Sequence, residues 1–459
     1  MRTRKRGDNF YFVKTAVARA VSFLLPVGGR RHNCSFSFAA GILPALLLLV
    51  VVVIKMNSVL FGAAIWEGVG YSSVGSFSFY GGQYFFSGAP GALSGNLNFN
   101  ISPTIKFSNK AASILTLDIS YRGSKEVTDI AGGGALFQDA ASGGAIFKFV
   151  ISPIQSLTLR PAASYRKELL RETKDENWTK GLFDYDKVSG GVETEYRFAK
   201  DNSVALGYDY FTITFPNYVS LESKSGSLGR EQQGSRTLDS ANNMLTITSR
   251  NRFFNRRFLL DASLIKNDKN YPDQPLAVSL DALSSTEKRA DTSFMAVLSA
   301  GYIFAAGKNF LIAPSAGFSY ISLDSNQNRV DATKSVFVKD YYDYTNLIPS
   351  ANLAFIFNTL NNNANGASDS QSTVFVRWSG GAKNYPSRPV QDVSGNYGTD
   401  KIYINETIYT LGLSYPLSRQ TKVSVTGSYL KSESNMKYES VYRYNYESAT
   451  YFLGIKYDF

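Results

Sequence analysis

Ala449-Thr450-Tyr451-Phe452-Leu453-Gly454-Ile455-Lys456-Tyr457-Asp458-Phe459 ends the chain on a period-two alternation. Ala449, Tyr451, Leu453, Ile455, Tyr457 and Phe459 fall on one side of an extended strand. Thr450, Gly454, Lys456 and Asp458 fall on the other, with Phe452 the exception. Successive side chains of a strand point to opposite faces, so this pattern gives one greasy face and one polar face. Just upstream, Val423, Val425, Gly427 and Tyr429 alternate with Lys422, Ser424, Thr426 and Ser428 in the same way.

Working outward, the same signature recurs back to about residue 70, and no amphipathic helical pattern interrupts it. Fifteen segments carry it: 95–107, 112–122, 143–152, 156–167, 187–198, 203–213, 241–253, 257–266, 291–304, 309–321, 345–357, 372–384, 402–417, 420–432 and 446–459. A weaker one spans 74–86. Most exceed the five or six residues usual in soluble sheets and match what a tilted strand needs to cross a bilayer. The connections sort by length. Short ones fall at 109–110, 153–155, 200–202, 255–256, 306–308 and 418–419, and long ones at 123–142, 168–186, 214–240, 267–290, 322–344, 385–401 and 433–445. Only the Asn-rich turn 358–371 breaks the order. Short periplasmic turns against long external loops are the asymmetry of a membrane barrel. The expected fold is therefore all-β: a transmembrane antiparallel up-and-down β-barrel of 14–16 strands. It has sixteen if 74–86 is counted, and both barrel ends are then periplasmic.

The bulk properties fit. In 459 residues, 32 Phe and 29 Tyr accompany 37 Gly, with a net charge of +11. Mean hydropathy is slightly negative, at −0.15. Helical membrane proteins are strongly apolar, whereas a barrel shows lipid only alternate residues. Residues 1–64 hold nine Lys or Arg against one acid, Asp8. Without them 39 basic and 36 acidic residues remain, a net of +3, so the charge does not argue for nucleic acid. The single Cys and single His, Cys34 and His32, lie in that leader. The remainder can form no disulfide and has no thiol or histidine for catalysis. No nucleotide fingerprint or metal cluster stands out. The expectation is a protein that is not an enzyme and needs no cofactor or metal.

Asn33 to Ile54 is free of charge, follows a basic segment, and precedes small residues at Gly62-Ala63-Ala64. Residues 1–64 read as a signal peptide with a helical core, cleaved near Ala64, ahead of a barrel over 65–459. An uncleaved inner-membrane helix is the other reading, since the run is long enough to span. The basic stretch 1–31 is long for a leader, so translation is expected to start further downstream.

The terminal Phe459 with Tyr457 and Ile455 before it resembles the final-strand assembly signal of the Gram-negative outer-membrane β-barrel superfamily. The likeness covers about residues 70–459 as architecture. It implies export, insertion by a barrel-assembly machinery, and residence in outer-membrane lipid. The repeats Pro161-Ala162-Ala163, Pro314-Ser315-Ala316 and Pro349-Ser350-Ala351 are similar to uncharacterised β-barrel porins. These prolines sit within strand patterns, where each removes a ladder donor, so bulges are expected there. Aromatics near strand ends suggest two girdles. Phe198, Phe253, Phe258, Phe304, Phe310, Phe357, Tyr415 and Phe459 flank short turns; Tyr121, Tyr165, Tyr210, Tyr320, Tyr385 and Tyr429 sit toward long loops.

With the apolar face outward, the polar face carries the charges. Among them Arg160, Glu193, Glu195, Arg197, Asp209, Arg250, Arg252, Asp261, Arg377 and Glu406 are expected to line a lumen. Arg160 is expected near Glu193 or Glu195, and Asp209 near Arg250. Two readings stand: an ion-pair network that fills the interior, or a wet channel favouring anions weakly. The segment 123–142, with Gly132-Gly133-Gly134 and Gly143-Gly144, is either a surface loop or an inward constriction. The leading functional expectation is a porin-like passive channel for small hydrophilic solutes. The alternatives are a transport or secretion barrel for a hydrophobic or polysaccharide substrate, and a non-conducting structural or adhesive barrel. A homo-oligomer is left open.

Overall fold

Segments that alternate greasy and polar side chains can pair edge to edge while keeping each chemistry on its own face, and sixteen of them do so here. In the computed structural model the described residues are 69–86, 92–128, 135–172, 176–219, 234–331, 334–358, 371–440 and 442–459. All belong to one compact unit, Ala64–Phe459. The leader and the Asn-rich residues 359–370 lie outside them.

The strands are β1 (Gly70–Phe86), β2 (Ala92–Lys106), β3 (Ala111–Thr128), β4 (Ala135–Ile154), β5 (Leu157–Arg171), β6 (Tyr185–Ala199), β7 (Asn202–Thr214) and β8 (Ser240–Phe253). They continue as β9 (Phe258–Ala277), β10 (Leu283–Tyr302, resuming at Phe304–Gly307), β11 (Phe310–Ser325), β12 (Tyr344–Asn358), β13 (Gln371–Gln391), β14 (Tyr397–Pro416), β15 (Thr421–Ser434) and β16 (Tyr446–Asp458). Each is antiparallel to its neighbours in sequence. The weak segment at 74–86 is β1, and it closes the sheet against β16, from Ser76 opposite Asp458 to Phe86 opposite Ser448. The result is a closed up-and-down barrel with no edge strand. No described helix is long and apolar enough to cross a membrane; the chain crosses with strands.

Register carries the alternation around the wall. Leu353 lies opposite Val376, Val376 opposite Leu411, Val425 opposite Leu413 and Leu453, and Phe79 opposite Ile455 and Leu97. These residues share one face and stay open: Leu411 is 58% and Leu453 55% exposed. Among the described residues no second layer of protein covers that face. A contiguous exposed apolar surface of this extent is stable only against lipid.

Four expectations change. First, the prolines mark no bulges. Pro161 stays in register with Val192, Pro314 with Leu353 and Pro349 with Phe318. The ladder is interrupted on the other side, around Pro161 toward β4, Pro314 toward β10 and Pro349 toward β13, and in each case the register resumes unshifted. A strand residue directs its N–H to one neighbour only, so proline costs one ladder and leaves the other intact.

Second, several presumed loops are strand. Asp139 pairs with Gly123 and Thr128 with Ala135, so 123–142 is an extended hairpin whose tip, 129–134, lies outside the described residues. Likewise β9 and β10 run on to Ala277 and back from Leu283, and β13 and β14 meet at 392–396. Beyond the lipid both faces meet water, so the period-two signal vanishes while backbone pairing persists.

Third, Gly143-Gly144, expected with the 123–142 loop or constriction, are in-register strand positions opposite Ile119 and Asp118.

Fourth, the 322–344 connection contains its own small hairpin, Arg329–Asp331 against Val336–Val338.

Candidate channel lumen

The polar face is built from the residues that alternate with the apolar rows. On β5 and β6, Arg160 stands opposite Glu193. Its guanidinium pairs with both Glu193 and Glu195, and Arg197 donates to Glu195 at 3.1 Å. Four expected residues thus form one chain, Arg197–Glu195–Arg160–Glu193, because residues two apart on a strand share a face. On β8 and β9, Arg252 grips Asp261 through two hydrogen bonds of 2.8 and 3.1 Å, the bidentate fork of an arginine on a carboxylate.

Asp209 is not near Arg250. Asp209 pairs with Met244, whereas Arg250 pairs with Ser203, six residues down the strand. The sequence showed the shared face but not the offset between strands. Asp209 occupies space left by Gly191, where an added Cβ would meet its carboxylate at 2.0 Å. Arg250 lies opposite Asp261, whose carboxylate is already held by Arg252. Arg377 lies with its guanidinium carbon 5.7 Å from the Phe375 ring centre. Among the described residues neither Arg250 nor Arg377 has a carboxylate partner. Glu406 stands opposite Gly381.

Aromatics on this face lie flat against the wall where a neighbour lacks a side chain. A Cβ on Gly412 would meet the Phe375 ring at 2.3 Å, and one on Gly454 would meet Tyr80 at 2.2 Å. Gly412 and Gly454 therefore leave room for rings that would otherwise project inward.

The charges are distributed unevenly. β10 to β12 put Ser293, Met295, Val297 and Ser299, then Ser315, Gly317, Ser319 and Ile321, then Ile348, Ser350, Asn352 and Ala354 on the polar face. Over those positions the wall has no ionised group, and the Arg289–Asp291 pair follows on β10 only toward the long loops, while β5 to β9 carry the ion pairs Arg160–Glu193, Arg160–Glu195 and Arg252–Asp261.

The long-loop end holds what sequence reading missed. Tyr385, expected in the outer girdle, is buried with Ile402, Met436 and Tyr444 in a small core above the barrel wall. It shares the face of Lys383, because β13 extends past the lipid. Arg388 donates to the Tyr444 hydroxyl at 2.8 Å and stacks over Tyr341 at 4.5 Å. The Tyr397 hydroxyl donates to Asp331 at 2.9 Å. The 326–343 connection is thereby fastened to the β13–β14 hairpin. The density of Tyr at 438–446 was the available signal.

No protein-family model matches the chain, and no curated protein matches it. Among solved structures it is similar to a bacterial polysaccharide outer membrane secretin, at 10% identity and a TM-score of 0.42 over 84% of this chain and 98% of that one. OmpT of Vibrio cholerae, an outer membrane protein in trimer form, gives 10% identity and 0.42 over 86% and 100%. Acinetobacter baumannii OccAB3 gives 8% and 0.42 over 84% and 99%. On its own geometry, a closed barrel with a lipid-compatible outer face, the chain has the architecture of the outer-membrane β-barrel superfamily and is a protein of the outer membrane.

Proposed function

We propose that the protein is a porin-like passive channel for small hydrophilic solutes, with a weak preference for anions. The observation that carries this is the closed sixteen-strand wall with its charges on the face away from the apolar rows. Barrels of about sixteen strands are wide enough to leave an aqueous passage. The ion pairs Arg160–Glu193, Arg160–Glu195 and Arg252–Asp261 lie along the wall between adjacent strands, so they need not cross the interior. Arg250 and Arg377 add positive charge that is paired with no carboxylate among the described residues, and fixed charge lining a pore sets its selectivity. The short turns, with Ile455, Tyr457 and Phe459 beside them as the assembly signal, belong in the periplasm.

Recording in planar lipid bilayers tests this. A steady single-channel conductance is expected, with a reversal potential in a potassium chloride gradient on the chloride side. Arg250→Gln combined with Arg377→Gln is expected to move that potential toward potassium. Silence of correctly inserted protein would end the channel reading, and potassium preference in the unmodified protein would end the anion assignment.

A further inference from the structure

A cavity of about 430 Å³ opens on the polar face at the long-loop end, between β12, β13, β14 and β15. We propose that it binds a pyranose saccharide. The site requires the mouth alone and stands whether or not solute passes through the barrel below.

Three features point to that ligand class. The first is unmet hydrogen bonding. Asn346 and Arg388 line the cavity, and their Oδ1 and Nε atoms are buried with no partner among the described residues. A buried polar group left unpaired is costly, so an orphan acceptor and an orphan donor on residues of one cavity call for a ligand that both donates and accepts. Sugar hydroxyls do both.

The second is a floor without a side chain. Gly381 sits where an added Cβ would come within 3.8 Å of both Asn346 Oδ1 and Glu406 Oε2. The two acceptors converge over that gap. Its backbone is ordinary extended strand and an added Cβ would make only ordinary contacts, so a larger side chain there would take up cavity space.

The third is the aromatic wall. Tyr385, Tyr442 and Tyr444 line the cavity, and the Tyr442 and Tyr444 rings meet edge to face at 4.8 Å with a 67° interplanar angle. The C–H faces of a pyranose pack on such rings. The wall is held in place before any ligand arrives. Arg388 holds the Tyr444 hydroxyl, Ser432 donates to the Tyr444 carbonyl at 2.8 Å, and the Lys383 ammonium sits 4.0 Å from the Tyr344 ring centre and 5.0 Å from that of Tyr385. An inorganic anion would use neither the rings nor the Asn346 and Glu406 acceptors. A purely apolar ligand would leave the orphans unpaired. The size and mixed lining match ligand pockets in general.

The test is saturation-transfer NMR with methyl α-D-glucopyranoside as probe. The protein is extracted from the outer membrane into a non-glycosidic detergent, so that no detergent sugar competes. Transfer to the ring C–H protons is expected. Tyr442→Ala and Asn346→Ala should each weaken binding by about tenfold, the factor for one lost contact of ordinary strength. Gly381→Val should abolish it by filling the floor. Tyr442 is 56% exposed, so its truncation leaves the fold intact. Absence of transfer in the unmodified protein would overturn the proposal, and so would undiminished transfer in Gly381→Val that still migrates as folded barrel.

Discussion

Gly75→Val is expected to leave the barrel unclosed. Gly75 and Phe459 exchange two backbone hydrogen bonds of 2.9 Å across the seam between the first and last strands. The Phe459 ring lies directly over Gly75, where an added Cβ would meet it at 2.4 and 2.5 Å and the Asn100 carbonyl at 3.1 Å. That ring stacks at 6.2 Å on Phe99, which is only 2% exposed, and at 6.1 Å on Tyr457. A valine forces the terminal ring out of its slot and pulls the last backbone pair apart. Phe459→Ala removes the ring instead, and with it the stacking on Phe99 and Tyr457, worth about 0.5–1.5 kcal/mol for each pair. Heat-modifiable migration of the outer-membrane fraction reads the outcome, since closed barrels run differently before and after boiling. Both variants should lose most of the folded band, and Phe459→Leu should retain more of it than Phe459→Ala. A folded band of normal intensity in Gly75→Val would mean that the seam does not depend on this contact.

Leu411→Arg should be the most damaging single change on the wall. Leu411 is exposed on β14, five residues before the strand ends at Pro416, opposite Val376 and Gly427. If that face meets hydrocarbon, an arginine there costs about 2–4 kcal/mol near the midplane. Thr410, the next residue, faces the other way and shares a 3.0 Å hydrogen bond with Ser428. Thr410→Arg should cost only about 1 kcal/mol, the worth of that bond. Urea unfolding from lipid vesicles measures both. Equal costs at the two positions would remove the distinction between lipid and water faces.

The membrane-spanning part of the fold was legible because lipid on one side imposes a period of two that no turn or loop imitates. The final strand shows it best, from Ala449 to Phe459. Pairings between residues of adjacent strands were legible only in part. Arg160 with Glu193 and Glu195 could be anticipated from the shared polar face alone, because one long guanidinium reaches two carboxylates placed two residues apart on the neighbouring strand. Asp209 with Arg250 failed, although a slip of an even number of residues preserves the faces and so passes unseen in the alternation. The proline-containing strands were misread for a related reason: composition reveals that a donor is missing, but not which neighbour loses it.

By itself, then, the order of residues determined the all-β class, a count of fourteen to sixteen crossings, the sorting of charge from grease, and the sites of the short turns, since each follows from local periodicity against a two-phase solvent. Tertiary structure alone decided the strand offsets, the length of the hairpins beyond the lipid, and the tyrosine-lined cavity at their base. Those depend on which distant backbones hydrogen-bond. Where both faces of a strand meet water, no one-dimensional pattern records that choice.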